Sequence, residues 1–279
     1  MAIKDILLIV RPGVANETLF AVAAAAAQAQ GAVVHGLGLV EEPPLTVAES
    51  FARGSAAIDE VLVSRAQHIQ QQASAAQGKF EQAMAAARVQ ADWRASEADE
   101  PVETTAVRAR YADLVVAAQP GEHDHDGRAL VEALVLDGGA PVLVAPHSGS
   151  YGAGFNRVVL AWDGGLSARR ALDASLPFLA AAQRVEVAVV DEGNASGVDE
   201  TALEALLRRL ARHGVRAEAR RLGPGVGDAG AALLSHAATF DADLLVMGAF
   251  GHSRAVEAIV GGVTRTVLAR AGLPVLLAH

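Results

Sequence analysis

Three segments of this chain occur twice in the same order, and this repetition restricts the possible folds more than any other feature. The matching pairs are residues 6–10 with 158–161, 112–118 with 242–248, and 139–145 with 272–278. Because the copies agree at their start, middle and end, the sequence predicts two homologous domains. We place them at residues 1–147 and 155–279, joined by a Gly/Ser-rich linker, and expect them to pack together because the linker is short.

Within each copy, short continuous apolar segments alternate with helical patterns. Continuous apolar strands are typical of parallel sheets that are covered by helices on both faces. We therefore predict an α/β fold with two doubly wound parallel five-stranded sheets flanked by helices. Ligands of such sheets bind beyond the carboxyl ends of the strands, where the winding reverses. The Ala/Gln-rich residues 67–87 predict a packing helix rather than a site.

The composition excludes several classes of function. A formal charge of -9 without any basic run argues against nucleic-acid binding. The chain contains no cysteine, so disulfides and thiol chemistry are excluded. We find no signal-peptide pattern and no apolar stretch of about 18 residues that could span a membrane. These observations predict a cytoplasmic location.

The segment most suggestive of a ligand site follows the apolar residues 244–247. Gly248 and Gly251 are separated by two residues, and Gly261 comes after nine more. Glycines at a strand end and before a helix let the backbone approach a ligand closely, and the free N–H groups of a helix start favour an anion. This combination can bind phosphate.

The same spacing resembles the nucleotide-binding signature of the universal stress protein family. The segments Asp-Ala-Asp-Leu-Leu-Val-Met-Gly at 241–248, Leu-Pro-Val-Leu-Leu at 273–277 and Asp-Gly-Gly-Leu-Ser-Ala at 163–168 are similar to that family too. The implied fold is that of the adenine nucleotide α-hydrolases. The resemblance implies an adenine-nucleotide site, for ATP, AMP or ADP with Mg²⁺ possible. Its implied members are Asp163, Gly164 and Val189 on the adenine side, Gly248 near ribose, and Gly251, Gly261, Gly262 and Val263 near phosphates.

One position departs from the family pattern. Members that bind ATP usually have Ser or Thr directly after the third glycine, whereas this chain has Gly262. A hydrogen bond to a charged group contributes about 1.5–3 kcal/mol, so its loss would weaken binding roughly ten- to a hundredfold. Thr264 could replace the hydroxyl in part, and His252, Arg254 and Arg265 could supply positive charge.

The first copy departs further from the signature. Arg11 stands where the second copy has Asp163, and Ala118 stands where it has Gly248. We expect this copy to be a degenerate domain that serves as a structural or pairing partner, although Arg11 leaves open a differently bound anion. The ligand-type residues 123–126, His-Asp-His-Asp, are adjacent in sequence and favour a solvated loop over a metal site.

The leading hypothesis is a stress-response regulatory protein that binds an adenine nucleotide in the second domain. The first alternative is a nucleotide-free interaction module of the same family. The second is an α-hydrolase-type enzyme, which is disfavoured because the pyrophosphatase loop is absent. We predict no catalytic residues and no protein metal site, with at most slow Mg²⁺-dependent ATP hydrolysis. The end strands of the two domains are candidates to pair, and a homodimer of whole chains remains an option.

Overall fold

The computed structural model describes residues 2–14, 16–40, 55–98, 100–152, 154–191, 198–223, 228–251 and 262–279. The strands of the first half are β1 Asp5–Val10, β2 Val33–Val40, β3 Ala91–Ala98, β4 Leu114–Ala118 and β5 Val142–Ala145. Those of the second half are β6 Arg157–Ala161, β7 Arg184–Val190, β8 Ala217–Leu222, β9 Leu244–Gly248 and β10 Val275–Ala278.

Helices alternate with these strands. In the first half they are α1 Glu17–Gln30, α2 Ser55–Ala86, α3 Val102–Ala109 and α4 His125–Asp137. In the second half they are α5 Leu166–Ala181, α6 Glu200–Arg212, α7 Ala229–Thr239 and α8 Val263–Arg270. Helix α2 is longer than the periodicity of residues 67–87 predicts. Helix α4 begins at His125, so the predicted solvated loop at residues 123–126 in fact contains a helix start.

The two halves form one continuous sheet with the strand order β3-β2-β1-β4-β5-β10-β9-β6-β7-β8. Neighbouring strands within each half are parallel. The halves join through an antiparallel pair, β5 with β10, in which Leu143 lies opposite Leu276. The two predicted five-stranded parallel units are thus joined edge to edge into one ten-stranded sheet through their short, apolar last strands.

Two apolar layers cover the faces of this sheet, and both continue across the β5–β10 joint. One contains Leu8, Phe20 and Phe80 from the first half together with Leu160 and Phe178 from the second. The other contains Leu130, Leu134, Leu245, Val267 and Leu268. Because side chains of both halves are buried together in these layers, unfolding one half would expose apolar surface of the other, at a cost of about 25 cal/mol per Å². The stabilities of the two halves are therefore coupled.

The strand order also locates the places where a ligand can approach. The winding reverses between β1 and β4 in the first half and between β6 and β9 in the second. At each reversal two helices begin beyond the carboxyl ends of the strands, α1 and α4 in the first half, α5 and α8 in the second. These two reversal points are the candidate sites of a doubly wound sheet.

Candidate functional site

The helix starts of the second half differ in how they are capped. Helices α6 and α7 begin after Asp199 and Asp228, whose carboxylates accept backbone N–H groups of their own first turns. Helices α5 and α8 begin after Gly165 and Gly262, which make no side-chain cap. Both glycine-capped starts lie at the β6–β9 reversal. Glycine caps add no side chain of their own over the N–H groups of the first turn, and this arrangement suits an external anion.

Gly248 brings the end of β9 against the first turn of α5. A Cβ built on Gly248 would lie 2.4 Å from the amide nitrogen of Ala168 and 2.6 Å from the carbonyl carbon of Ser167. Only a glycine fits this approach without a shift of backbone. The glycine that the family resemblance places near ribose thus has a packing role in this chain as well.

Thr264 connects the first turn of α8 to the loop after β9. The backbone N–H of Phe250 donates to the Thr264 hydroxyl, with an N–O distance of 3.4 Å. Thr264 is 4% exposed. Ala249 is fixed in turn by its N–H, which donates to the Ala278 carbonyl at 2.9 Å. The hydroxyl that the sequence offered as a substitute phosphate ligand therefore has a structural partner.

Asp163 shapes the turn between β6 and α5. Its carboxylate is exposed and accepts the N–H of Gly165 at 2.7 Å. Gly164 takes a positive φ of 79°, which favours glycine. Gly251 is exposed, and a Cβ there would make ordinary contact, 3.6 Å, with the Ser167 hydroxyl oxygen. Within the described part of the chain, the other oxygen of this exposed carboxylate accepts no hydrogen bond.

The strand next to this turn presents no exposed apolar side chain at its end. Val189 in β7 is 0% exposed and packs in the same cluster as Val198. The Val198 side chain lies 3.3 Å from the position a Cβ would take on Gly164. Arg221 fixes Val198 by donating to its carbonyl at 2.8 Å and also pairs with Asp191. Because the Val189 side chain is buried, a bound base could contact only its backbone unless the surrounding side chains moved.

Three predicted members of the site, His252, Arg254 and Gly261, lie outside the described residues. Gly262 and Val263 are described and form the start of α8, where the first helical bond runs from Thr266 N–H to the Gly262 carbonyl. The amides of residues 263–265 thus precede the first helical hydrogen bond. Asp163, Gly164, Gly248, Gly251, Gly262 and Val263 lie around the same sheet reversal.

The corresponding reversal of the first half contains an internal ion pair. Arg11 follows β1, and its Nη1 lies 2.6 Å from Oδ2 of Asp124. The other Asp124 oxygen accepts the N–H of Gly127 at 2.9 Å and so caps α4. Burial alone would raise the pKa of Asp124, but the hydrogen bonds from Arg11 and Gly127 outweigh it and hold the pKa below its usual value. The carboxylate occupies the helix start and pairs with the cation, as a bound anion would.

Little space remains around that pair. The cleft beside it is lined by Arg11, Asp124 and Gly127, among others, and has a volume of about 10 Å³. That is close to the smallest space that accommodates one water molecule. Within the described residues, no group of three or more His, Cys, Asp or Glu side chains could hold a metal ion. At the start of α4 the first half therefore uses its own carboxylate as the cap, whereas α1 begins after Asn16 without a side-chain cap.

Comparison with known proteins gives the family of the second half. The model of the universal stress protein family matches residues 154–279. The second half of the chain is a universal stress protein domain. The match covers the glycine-capped helix starts and the β6–β9 reversal, and it excludes the ion-paired reversal of the first half.

Two solved structures have a similar fold over almost the whole chain, and one of them is a universal stress protein. A universal stress protein from Archaeoglobus fulgidus DSM 4304 is 17% identical, with a TM-score of 0.71 over 98% of this chain and 95% of its own. The functionally unknown protein PA1789 from Pseudomonas aeruginosa PAO1 is 16% identical, with a TM-score of 0.57 over 99% and 92%. A universal stress protein solved in complex with cAMP is 24% identical over 45% of this chain and 97% of its own, with a TM-score of 0.35.

No curated protein matches the chain. Among the described helices, none is both long and apolar enough to cross a membrane.

Sequence reasoning missed two residues, Ser167 beside the candidate site and Gln119 at the far end of α8. Ser167 is 7% exposed and faces Gly251, and its place in the Asp-Gly-Gly-Leu-Ser-Ala segment was a signal that could have identified it. Gln119 reaches the second half from the first, and no local pattern predicts that contact because 149 residues separate the partners.

Proposed function

We propose that the universal stress protein domain at residues 155–279 binds an adenine nucleotide, ATP in the first instance, and that binding rather than turnover is its function. The observation that carries the proposal is the contrast in helix caps. The two helices that start at the β6–β9 reversal have glycine caps, whereas α6 and α7 have aspartate caps. Helices α1 and α3 also begin without a side-chain cap, so the proposal rests on the two glycine caps together with their shared place at the β6–β9 reversal.

Surface chemistry beside these helix starts supports a nucleotide over a bare anion. Leu166, the first residue of α5, is 78% exposed and offers apolar surface next to the α5 amides. The exposed carboxylate of Asp163 lies in the preceding turn and can accept a hydrogen bond from a ribose hydroxyl or an adenine amino group. A nucleotide presents an apolar ring, polar edges and phosphates, so it can use all three features at once.

The first half supplies a natural comparison for this proposal. Its reversal point contains Arg11 and Asp124 in contact, so a nucleotide there would have to displace a partly buried ion pair. The side chains of Arg11 and Asp124 are only 13% and 28% exposed, so a ligand that separated them would leave both charges poorly solvated. We therefore expect one nucleotide per chain, bound by the second half.

A single substitution with a matched control tests the proposal. Gly251→Asp places a carboxylate at an exposed loop position beside the phosphates, where charge repulsion should weaken ATP binding at least tenfold. Gly251→Asn has nearly the same shape without the charge and should retain most of the affinity. Isothermal titration of the wild type and both variants at constant salt measures this. Equal weakening by both variants would show that the loss is steric, and no binding by the wild type at millimolar ATP would reject the proposal.

A nucleotide-free interaction module is the second candidate function. It is favoured by Gly262, which lacks the hydroxyl of the ATP-binding pattern, and by the engagement of Thr264 with Phe250. This candidate predicts that the wild-type chain shows no saturable ATP binding, and that Gly251→Asp leaves its association with protein partners unchanged.

A further inference from the structure

Gln119 forms a polar link between the two halves. It follows β4 in the first half and is 5% exposed. Its side-chain N–H donates to the carbonyl of Leu268 in α8, at 2.7 Å, and its side-chain oxygen accepts the N–H of His147, at 3.2 Å. A buried amide that both donates and accepts fixes its two partners relative to each other.

The Leu268 carbonyl lies in the last turn of α8. Carbonyls of the last turn have no intrahelical N–H to pair with, so they need a partner from elsewhere. Ala271 N–H satisfies the carbonyl of Val267, and Gln119 satisfies that of Leu268. The first half therefore completes the C-terminal end of a helix whose N-terminal end faces the candidate nucleotide site.

Helix α8 is short and tightly packed. It spans Val263–Arg270, or about 12 Å at 1.5 Å per residue, and Val267 has no exposed surface. A displacement at one end of so short a packed helix cannot be absorbed along its length. The two halves differ at this position, because the residue equivalent to Gln119 in the second copy of the repeat is Ala249, which has no side-chain donor. This difference supports a specific role for Gln119.

We propose that Gln119 is a positioning residue that couples nucleotide binding at the start of α8 to the packing of the two halves. This inference rests on the proposed function and adds its regulation. Nucleotide phosphates draw the first turn of α8 towards them, and the Leu268–Gln119–His147 chain of hydrogen bonds transmits the constraint to the end of β5 and the linker. By thermodynamic reciprocity, loss of the link weakens nucleotide binding as well.

The test measures amide hydrogen exchange, with and without saturating ATP, in the full chain and in Gln119→Met. Methionine has a similar length and can neither donate to Leu268 nor accept from His147. In the wild type, ATP should slow exchange at the His147 amide, in the half that does not bind the nucleotide. Gln119→Met should bind ATP about threefold or more weakly and lose this ATP-dependent protection even when saturated.

Two further variants separate coupling from general destabilisation. Gln119→Asn keeps the amide but shortens its reach, so it should behave as Gln119→Met does and serves if the latter folds poorly. Val144→Ala removes a methyl pair from the β5–β10 joint without touching the amide, so it should lower stability yet retain the ATP-dependent protection of His147. A purely structural role for Gln119 would change stability alone.

The outcomes are distinct. If wild-type chain binds ATP but His147 exchange does not respond, or if Gln119→Met keeps the response, the coupling is refuted and the proposed function stands. If the wild type does not bind ATP, the proposed function and this inference both fail.

Discussion

Gly248→Ala isolates the packing role of the first glycine of the motif. The new methyl group would lie 2.4 Å and 2.6 Å from backbone atoms of Ala168 and Ser167, where carbon contacts normally lie at 3.5–4.0 Å. Backbone at the start of α5 or the end of β9 must therefore shift by about 1 Å. Overpacking of this kind costs about 1–3 kcal/mol, and the reduced freedom of the unfolded chain returns about 0.4–1 kcal/mol. We expect a net loss of about 1–2 kcal/mol in the free energy of unfolding.

The matched control is Gly251→Ala in the same loop. A methyl group there would lie 3.6 Å from the Ser167 hydroxyl oxygen, an ordinary contact, so stability should change by less than about 0.5 kcal/mol. Urea unfolding of the full chain, followed by circular dichroism, measures both variants. Indistinguishable midpoints for the two variants would refute the claim that Gly248 is fixed by its contact with α5. Because Gly248→Ala moves the α5 amides, it should also weaken ATP binding.

Three other perturbations test separate contacts. Asp124→Asn should destabilise the chain by about 1–3 kcal/mol, since it weakens both the α4 cap and the pair with Arg11. The stabilisation by the wild-type carboxylate is present above about pH 4 and is lost as pH falls through its lowered pKa, so a loss of stability in acid that is the same in both proteins would refute this. Burial lowers the pKa of His35, but hydrogen bonds to two carboxylates outweigh burial and raise the pKa. The contribution of His35 to folding stability is therefore complete below about pH 6 and is lost as pH rises, and an NMR titration that gave a pKa below that of an unfolded-chain histidine would contradict this. Thr264→Val leaves the Phe250 N–H without its acceptor and should cost about 1 kcal/mol, whereas Thr264→Ser should cost less; equal urea midpoints for the two would contradict the assignment.

Much of the fold could be predicted from the sequence because the central strands are buried on both faces. Residues 6–10 and 244–247 are continuous apolar runs, and the chain places them in the centre of a covered sheet. The repeat of these runs predicted two units with the same strand order. Less could be predicted for β8, Ala217–Leu222, because an exposed edge strand carries charged residues and little apolar pattern.

The candidate site could be predicted only in its local parts. The glycine spacing and the turn at Asp163 are short-range patterns, and both lie at the β6–β9 reversal. The pair between Arg11 and Asp124 joins residues 113 positions apart, and no local pattern reports such a contact. For the same reason the second role of Gly248 was hidden. The sequence shows only that a glycine is present. Whether a ligand or another backbone segment contacts that glycine depends on the three-dimensional structure.

In the first half the start of α4 at the reversal point is capped by its own carboxylate, whereas in the second half both helix starts are, as we propose, left for a ligand. Native mass spectrometry of the intact chain with increasing ATP tests this most directly, because each bound nucleotide adds a resolved mass. We predict that the spectrum saturates at one nucleotide per chain, and that Gly251→Asp abolishes that single addition at the same concentration. Two equivalent additions, or none at millimolar ATP, would contradict the account.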